Sequence, residues 1–158
     1  MKRKIYTLEK LLPKLVELKN KGKIIVTTNG SFDLLHYGHI FSLKESKKQG
    51  DILVVGINSD SSVKKYKSDK RPIIPEKYRA RVIASLEFVD YVFLFNETNP
   101  INFIEKIKPD IHTNSVEYGK NCVEKDTVIN NGGRLYLLKK CKNISTTKII
   151  NKILNIYT

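Results

Sequence analysis

The stretch Thr27-Thr28-Asn29-Gly30-Ser31-Phe32-Asp33-Leu34-Leu35-His36-Tyr37-Gly38-His39 decides the fold that this sequence predicts. It follows the β-branched run 23–26 and precedes an amphipathic segment that contains Ile40 and Leu43 and ends near Gly50. This pattern predicts a strand, a turn and a helix. The first N–H groups of a helix are unpaired and carry the positive end of the helix dipole, so the turn predicts a phosphate-binding site.

Two histidines, His36 and His39, lie three residues apart on one face of the first helical turn. Each can donate a hydrogen bond to the same anion. As a metal pair they lack a third ligand at usable spacing, and as activators of a nucleophile they lack a serine or cysteine at an elbow, although Ser31 is close. Two surface histidines without a role are a further alternative. With Gly30 and Gly38 in the same turn, phosphate binding fits best.

Length and composition predict one domain in a cytoplasmic protein. The chain has 158 residues, enough for one sizeable core and too few for two ordinary ones. It contains no long apolar stretch, and the run 1–4 is followed by charged residues where a signal peptide would have its apolar core. Cys122 and Cys141 show no metal-binding spacing, and we assign them no role.

The formal net charge of +13 invites a nucleic-acid interpretation. Nearly all of the excess is lysine, and the lysines are scattered apart from the segments 64–67 and 70–71. The charge therefore favours small polyanions over nucleic acid as partners.

Strands and helices alternate along the rest of the chain. Leucines at helical spacing predict an N-terminal helix within residues 1–22, capped by Thr7 and stopped by Gly22, with Pro13 predicting a kink or a later start. The remaining residues, 23–158, form the domain on which this helix packs. Further strands are predicted at 51–58, 91–95, 110–113 and 134–138, further helices at 76–86, 99–107, 121–130 and from 145, and a basic loop or short helix at 61–75.

This alternation predicts the α/β fold class: a single-domain, Rossmann-like, doubly wound parallel sheet of about five strands with helices on both faces. Ligands bind such sheets beyond the carboxyl ends of the strands. The opening turn, residues 58–60 and residues 113–118 all fall on that edge.

The segment 29–39 resembles the HxGH signature of the nucleotidyltransferase superfamily that includes the cytidylyltransferases. Residues 144–149 are similar to that family's second signature, at the start of its last helix. Between them, several segments resemble the adenylyltransferase domain of bacterial ADP-heptose synthases; these are 54–60, 63–67, 71–73, Arg79, 89–90 and 132–133. The resemblance covers roughly residues 10–153.

The resemblance implies transfer of a nucleotidyl group to a phosphorylated acceptor, with Mg²⁺ accompanying the triphosphate and no dedicated metal cage. It implies catalytic roles for His36, His39 and Lys67. The implied nucleotide-binding residues are Asn29, Gly30, Ser31, Phe32, Gly38, Lys47, Lys64, Arg79, Ser145, Thr146 and Thr147, with an exposed helix face as the alternative for Lys47 and Arg79. The implied acceptor-binding residues are Asp33, Asp60, Glu117 and Tyr118, with capping of the next helix as the alternative for Asp33.

The sequence departs from the resemblance at 114–118. ADP-heptose synthases usually carry a Lys-Gly-Gly-Asp-Tyr-like segment there, whereas this chain has Asn114-Ser115-Val116-Glu117-Tyr118. Without the glycines the backbone approaches a ligand less closely.

We therefore expect an enzyme that joins an NTP, with ATP favoured, to a sugar 1-phosphate of the heptose type, as a homodimer. The alternative enzyme is a CTP-dependent transferase acting on glycerol 3-phosphate or a similar polyol phosphate. A nucleic-acid binder is the alternative from another class, and no membrane partner is expected.

Overall fold

Five parallel strands form the centre of the computed structural model, which describes residues 4–119, 122–139, 141 and 144–158. The strands are β1 (Ile25–Gly30), β2 (Ile52–Asn58), β3 (Tyr91–Phe95), β4 (Ile111–Ser115) and β5 (Arg134–Leu138). Their spatial order is β3-β2-β1-β4-β5. The strand order reverses at β1, whose neighbours are β2 on one side and β4 on the other.

Seven helices accompany the sheet in the described residues. They are α1 (Leu8–Asn20), α2 (Tyr37–Lys47), α3 (Asp60–Tyr66), α4 (Glu76–Ala84), α5 (Ile101–Ile107), α6 (Lys125–Asn130) and α7 (Thr146–Tyr157). None of these described helices has the length and apolar character that a bilayer-spanning segment needs.

Each face of the sheet has its own apolar core, because successive strand residues point to opposite faces. On one face, Ile25 and Val54 pack with side chains of α1, α5 and α6. On the other face, Val26 and Leu53 pack with side chains of α2 and α4. The prediction of a doubly wound parallel sheet of five strands with helices on both faces is confirmed.

The structure refines three predicted elements. Helix α1 begins at Leu8, with the Thr7 hydroxyl accepting from Lys10 N–H at 3.4 Å, and continues through Pro13, so a start after the proline is wrong. Helix α3 occupies the first part of the predicted loop or short helix at 61–75. Strand β1 extends to Gly30, so Asn29 and Gly30 end a strand and the turn proper follows them.

Candidate active site

A cleft of about 590 Å³ opens at the carboxyl-terminal edge of the sheet, between the starts of α2 and α7. Most of its lining consists of hydrogen-bond donors and cations. The lining residues are His36, Gly38, His39, Ser42, Lys67, Ser68, Arg71, Glu117, Cys141 and 144–147. Segments far apart in sequence thus meet at one surface rich in hydrogen-bond donors, which we call the phosphate cleft.

The two histidines stand at the first turn of α2. His36 is the N-cap in an extended conformation, and its carbonyl oxygen accepts the His39 N–H at 3.0 Å. Their rings stack with centroids 3.8 Å apart and an interplanar angle of 20°. A Cβ on Gly38 would lie 3.0 Å from the His36 ring and 3.3 Å from Ile144, so glycine is needed for the close approach of these groups.

Both imidazoles are neutral near pH 7. Burial, and then the nearby His36 and Lys67, lower the pKa of His39 to about 4, and burial lowers the pKa of His36. The Nδ1 atom of each ring is buried and has no hydrogen-bond partner among the described residues. A neutral imidazole keeps one N–H donor, so the pair presents two neutral donors and a capacity to gain protons when an anion binds.

Lys67 reaches the cleft from the segment that follows α3. Its Nζ donates to Ser31 Oγ at 2.9 Å, which connects the basic segment to the end of β1. Although much of the side chain is exposed, burial around the amine, and then nearby Arg71, lower the pKa of Lys67. Lys64 lies exposed on α3 outside the lining of the cleft, and its predicted role stays a prediction.

The start of α7 forms the wall opposite the histidines. Ser145 is its N-cap, and the Ser145 hydroxyl accepts the Lys148 N–H at 3.3 Å. Thr146 and Thr147 begin the helix, so their backbone N–H groups are among the unpaired donors of its first turn. Helix dipole and free donors both favour an anion here.

Two smaller cavities continue from the phosphate cleft along the sheet edge. The second, of about 270 Å³, shares His39, Ser42, Lys67 and Glu117 with the cleft. It is further lined by Asn29, Gly30, Ser31, Phe32 and Tyr118 among others. The third, of about 240 Å³, shares Asn29, Gly30, Tyr66, Asn114 and Tyr118 with the second and reaches Asn58 and Glu124.

Phe32 lies beside the histidines in a left-handed conformation, with φ of 46°. Its ring meets the His39 ring edge-on at 5.3 Å between centroids. A Cβ on Gly30 would lie 3.2 Å from the Phe32 ring. Gly30 and Phe32 therefore shape the wall of the second cavity.

Lys47 lies at the opposite edge of the sheet, so its prediction as a nucleotide-binding residue is wrong. Its Nζ donates to Asp90 Oδ2 at 2.6 Å and to the Asp51 carbonyl at 2.5 Å. Asp90 Oδ2 also accepts the Leu53 N–H at 2.8 Å, which places the pair at the amino ends of β2 and β3. The histidines stand at the start of α2, and Lys47 is its last residue. The length of the helix therefore separates Lys47 from the phosphate cleft.

Arg79 is a buried structural residue, and neither predicted alternative holds for it. Its side chain has no exposed surface. It donates to Asn58 O at 2.9 Å, to Asp60 Oδ1 at 2.8 Å and to Ile74 O at 2.8 Å, and also to the Ser31 carbonyl. Because these acceptors use its donors, Arg79 fixes the ends of β1 and β2 instead of contacting a nucleotide.

Asp33 and Asp60 also bind protein partners; Asp33 is buried, whereas the Asp60 side chain is 36% exposed and its predicted contact with the acceptor stays a prediction. Asp33 accepts from Arg71 Nε at 2.6 Å and from the N–H groups of Ile73 and Ile74 at 2.8 Å each. Burial alone would raise the pKa of Asp33, but these donors outweigh it and lower the pKa. Asp60 binds Arg79 and accepts the Glu76 N–H at 2.9 Å. Asp33 holds the 71–74 segment and does not cap the next helix.

Sequence reasoning assigned no role to several residues that line these cavities. Arg71 lines the phosphate cleft, and its position in the basic segment 61–75 could have indicated a contact with phosphate. Asn58 ends β2 at the edge where ligands were expected, whereas Glu124 directly precedes α6 and carries no comparable signal.

The chain belongs to the Cytidylyltransferase-like family, whose model matches residues 27–152. Among curated proteins it is similar to the bifunctional protein HldE of Geobacter metallireducens, with 46% identity over 88% of this chain and 29% of that protein. The HldE proteins of Campylobacter fetus and Helicobacter pylori are 46% and 45% identical over 96% and 95% of this chain, and 31% of each relative is covered. The chain thus spans about a third of the length of these relatives.

Solved structures give a consistent result. The lipopolysaccharide core biosynthesis protein from Thermoplasma volcanium superposes with a TM-score of 0.65 and 34% identity, covering 78% of this chain and all of that one. A pantoate-beta-alanine ligase from Francisella tularensis superposes with a TM-score of 0.64 at 16% identity, over 98% of this chain and 78% of its own length. The second likeness supports the fold alone.

Proposed function

We propose that this chain is an adenylyltransferase that joins ATP to a sugar 1-phosphate of the heptose type, giving an ADP-sugar and pyrophosphate. The phosphate cleft carries the proposal. It gathers two neutral histidine donors, Lys67 and the start of α7 around about 590 Å³. Such a surface suits a triphosphate, whose charge must be balanced while pyrophosphate leaves.

The reaction needs no general base from the protein. A sugar 1-phosphate has a second pKa of about 6, so near pH 7 one of its oxygens is already a competent nucleophile. That oxygen forms a bond to the α-phosphorus of ATP, and the bond from the α-phosphorus to the bridging oxygen breaks to release pyrophosphate. The chain then has two tasks, which are to align two mutually repelling anions and to stabilise the negative charge on the leaving group.

Each wall of the cleft has a part in these tasks. His36 and His39 donate to the triphosphate and become protonated more readily as charge accumulates near them. Lys67 exchanges its Ser31 hydroxyl partner for a phosphate oxygen. Ser145, Thr146 and Thr147 hold phosphates through hydroxyl and backbone donors. Glu117 lines both the cleft and the second cavity, and Tyr118 lines the second and third cavities, where we place the acceptor.

Mg²⁺ is the cation we propose to accompany ATP. Glu117 is the carboxylate among the described lining residues, beside the hydroxyls of Ser42 and Ser145. This donor set fits an ion held chiefly by triphosphate oxygens and water, as Mg²⁺ commonly is. Bound there, the ion would neutralise part of the charge on the leaving pyrophosphate.

The relatives favour this assignment over the CTP-dependent alternative. Identities of 45–46% to the HldE proteins described above agree with the resemblance to ADP-heptose synthases. The name of the Thermoplasma volcanium protein, a lipopolysaccharide core biosynthesis protein, is consistent with a sugar acceptor. We further propose a cytoplasmic homodimer without a nucleic-acid or membrane partner.

The test is to incubate the protein and Mg²⁺ with ATP or CTP and a panel of sugar and polyol phosphates, with pyrophosphatase present, and to identify NDP products by mass spectrometry. We expect ADP-sugar from ATP and heptose 1-phosphate. CDP-glycerol from CTP and glycerol 3-phosphate would instead establish the alternative, and salt-sensitive RNA retention without turnover would favour a nucleic-acid binder.

His36→Ala and His39→Ala link the activity to the cleft. Removing one donor to a developing negative charge costs about 10²–10³-fold in kcat, so we expect a loss of that order from each variant. Lys47→Ala is the matched control, because it removes a polar side chain from the same helix at the opposite edge. Full activity in the double histidine variant would refute the site.

A further inference from the structure

The third cavity contains a carboxylate among neutral polar groups. It lies beyond the carboxyl ends of β1, β2 and β4, and its polar lining includes the amides of Asn29, Asn58, Asn99 and Asn114, the phenols of Tyr66 and Tyr118, and Glu124. Lysine and arginine are absent from this described lining, in contrast to the phosphate cleft. Its chemistry therefore suits a neutral polyhydroxylated group rather than a phosphate.

The cavity is continuous with the region where the acceptor phosphate reacts. The second cavity shares Glu117 and Lys67 with the phosphate cleft, and Tyr118 and Asn114 with the third cavity. A molecule that places its phosphate beside Lys67 thus extends along the second cavity toward Glu124.

Glu124 is an ionised carboxylate in a buried position. Only 2% of the residue is exposed. Oε1 accepts from Asn114 Nδ2 at 2.5 Å and lies 3.5 Å from His112 Nε2, a separation longer than a good hydrogen bond but short enough for electrostatic attraction. Burial alone would raise the pKa of Glu124, but His112 and the thiol of Cys122 outweigh it and lower the pKa to about 2.

The partners of Glu124 are fixed in turn by the fold. His112 Nδ1 is 2.8 Å from the Thr27 hydroxyl on the neighbouring strand, and His112 is fully buried. Burial, and then Glu124, raise the pKa of Cys122 to about 12, so the thiol stays protonated beside the carboxylate. Glu124 is therefore held rigidly at the wall of the cavity.

A buried ionised carboxylate costs several kcal/mol unless partners compensate it, and such groups in cavities are candidates for function. A carboxylate offers about four acceptor positions, and Asn114 and Cys122 use only part of that capacity. Because Asn114 Nδ2 already engages Oε1, a sugar hydroxyl would donate to an acceptor position that remains on the carboxylate.

We propose that Glu124 is a specificity-determining residue, which accepts hydrogen bonds from hydroxyls of the acceptor sugar in the third cavity. This inference rests on the proposed function, because it assumes that the acceptor phosphate lies in the cleft. The asparagine amides and the two tyrosines of the lining supply the remaining contacts to the sugar.

The test measures binding by calorimetry and turnover by pyrophosphate release, for the unmodified chain and for Glu124→Gln. The change retains the shape of the side chain and removes its charge. A hydrogen bond to a charged group contributes about 1.5–3 kcal/mol, so we expect heptose 1-phosphate to bind at least about tenfold more weakly to Glu124→Gln, while ATP binds equally well. The matched control is Asp126→Asn, the same change at an exposed position of α6.

Monodeoxy sugar 1-phosphates separate hydroxyl recognition from a structural role. We expect one deoxy analogue to bind the unmodified chain as weakly as the parent sugar binds Glu124→Gln, and to lose no further affinity in that variant. An equal loss for every analogue and for glycerol 3-phosphate would overturn the inference, as would unchanged binding of heptose 1-phosphate. Absence of turnover with all acceptors would refute the proposed function, and the binding comparison would still decide the role of Glu124.

Discussion

The stacked imidazoles of His36 and His39 connect the stability of the protein to the chemistry of its cleft. They stay neutral because they are partly buried, and His39 is in addition close to His36 and Lys67. A positive charge here is unfavourable in the free protein and becomes favourable beside a triphosphate. The partly buried histidine pair thus lowers the stability of the free protein at acidic pH and assists the binding of an anion near pH 7.

His39 should make stability depend on pH between about 4 and 6.5. Its pKa is about 4 in the folded state against an ordinary value of 6.5, so the unfolded state binds more protons in this window and stability rises with pH. The contribution is fully present above pH 6.5 and is lost as the pH falls toward 4, reaching at most about 3 kcal/mol. Urea unfolding of the unmodified chain and of His39→Asn at several pH values measures it. Parallel curves for the two proteins would contradict the shifted pKa.

Arg79 should matter for stability more than any cation in the phosphate cleft. Arg79→Met would leave Asp60 and three carbonyl groups without their donor. The Asp60 side chain is 36% exposed, but leaving a buried carbonyl group without its donor costs about 1–3 kcal/mol, so we expect a loss of about 3–5 kcal/mol in the free energy of unfolding.

Arg81→Met is the control for Arg79→Met, since Arg81 is exposed on the same helix. Exposed substitutions usually change stability by less than about 0.5 kcal/mol. Similar losses in the two variants would show that Arg79 does not hold the ends of β1 and β2.

At the scale of the element, α1 retains a proline in its interior. Pro13 is exposed and cannot donate to the carbonyl of Glu9. Proline is about 3 kcal/mol less favourable than alanine inside a helix, and its rigidity in the unfolded chain offsets up to about 1 kcal/mol of this. We expect Pro13→Ala to raise the free energy of unfolding by about 2 kcal/mol in urea denaturation. Lys14→Ala, at the next exposed position, should change it little, and a loss of stability in Pro13→Ala would mean that the proline fits its position better than alanine.

The sequence predicted the elements well because their signals are local. Apolar runs identified β3 and β5 with their observed bounds, and alternation with helices identified the parallel sheet. The histidine turn, residues 58–60 and residues 113–118 were predicted to share one edge because parallel strands end there, whereas the role of the α7 start opposite the histidines was implied by the family resemblance. These predictions depend on periodicity and topology, which the chain carries in its order of residues.

The hydrogen-bond and ion-pair partners of the charged side chains could not be predicted from the sequence, because they depend on which groups the fold brings together. Lys47 and His39 share one helix, yet their side chains reach opposite edges of the sheet. The sequence made Asp33 a candidate for contact with the acceptor, but in the structure it accepts hydrogen bonds from Arg71, Ile73 and Ile74. Spacing identifies a face or an edge, but it does not tell which groups satisfy each other there.

At the scale of the whole molecule, the net charge of +13 should act on the rate of encounter with ATP. Salt screens long-range attraction, with a Debye length of about 10 Å at 0.1 M and about 3 Å at 1 M. We expect KM for ATP to rise several-fold between about 50 and 500 mM NaCl while kcat changes little. Sucrose at equal osmolality is the control. A KM that does not respond to salt would leave the charge without a role in substrate binding.

The contact between Lys67 and Ser31 implies that the cost of ordering this lysine is met when the protein folds. The amine already rests on a hydroxyl at 2.9 Å at the entrance to the second cavity. A lysine side chain loses up to about 2 kcal/mol of rotamer entropy when it is fixed. A phosphate that binds here replaces the neutral Ser31 hydroxyl as the partner of an amine that is already in place. More of the attraction between the phosphate and Lys67 therefore contributes to binding affinity than it would for a freely moving lysine.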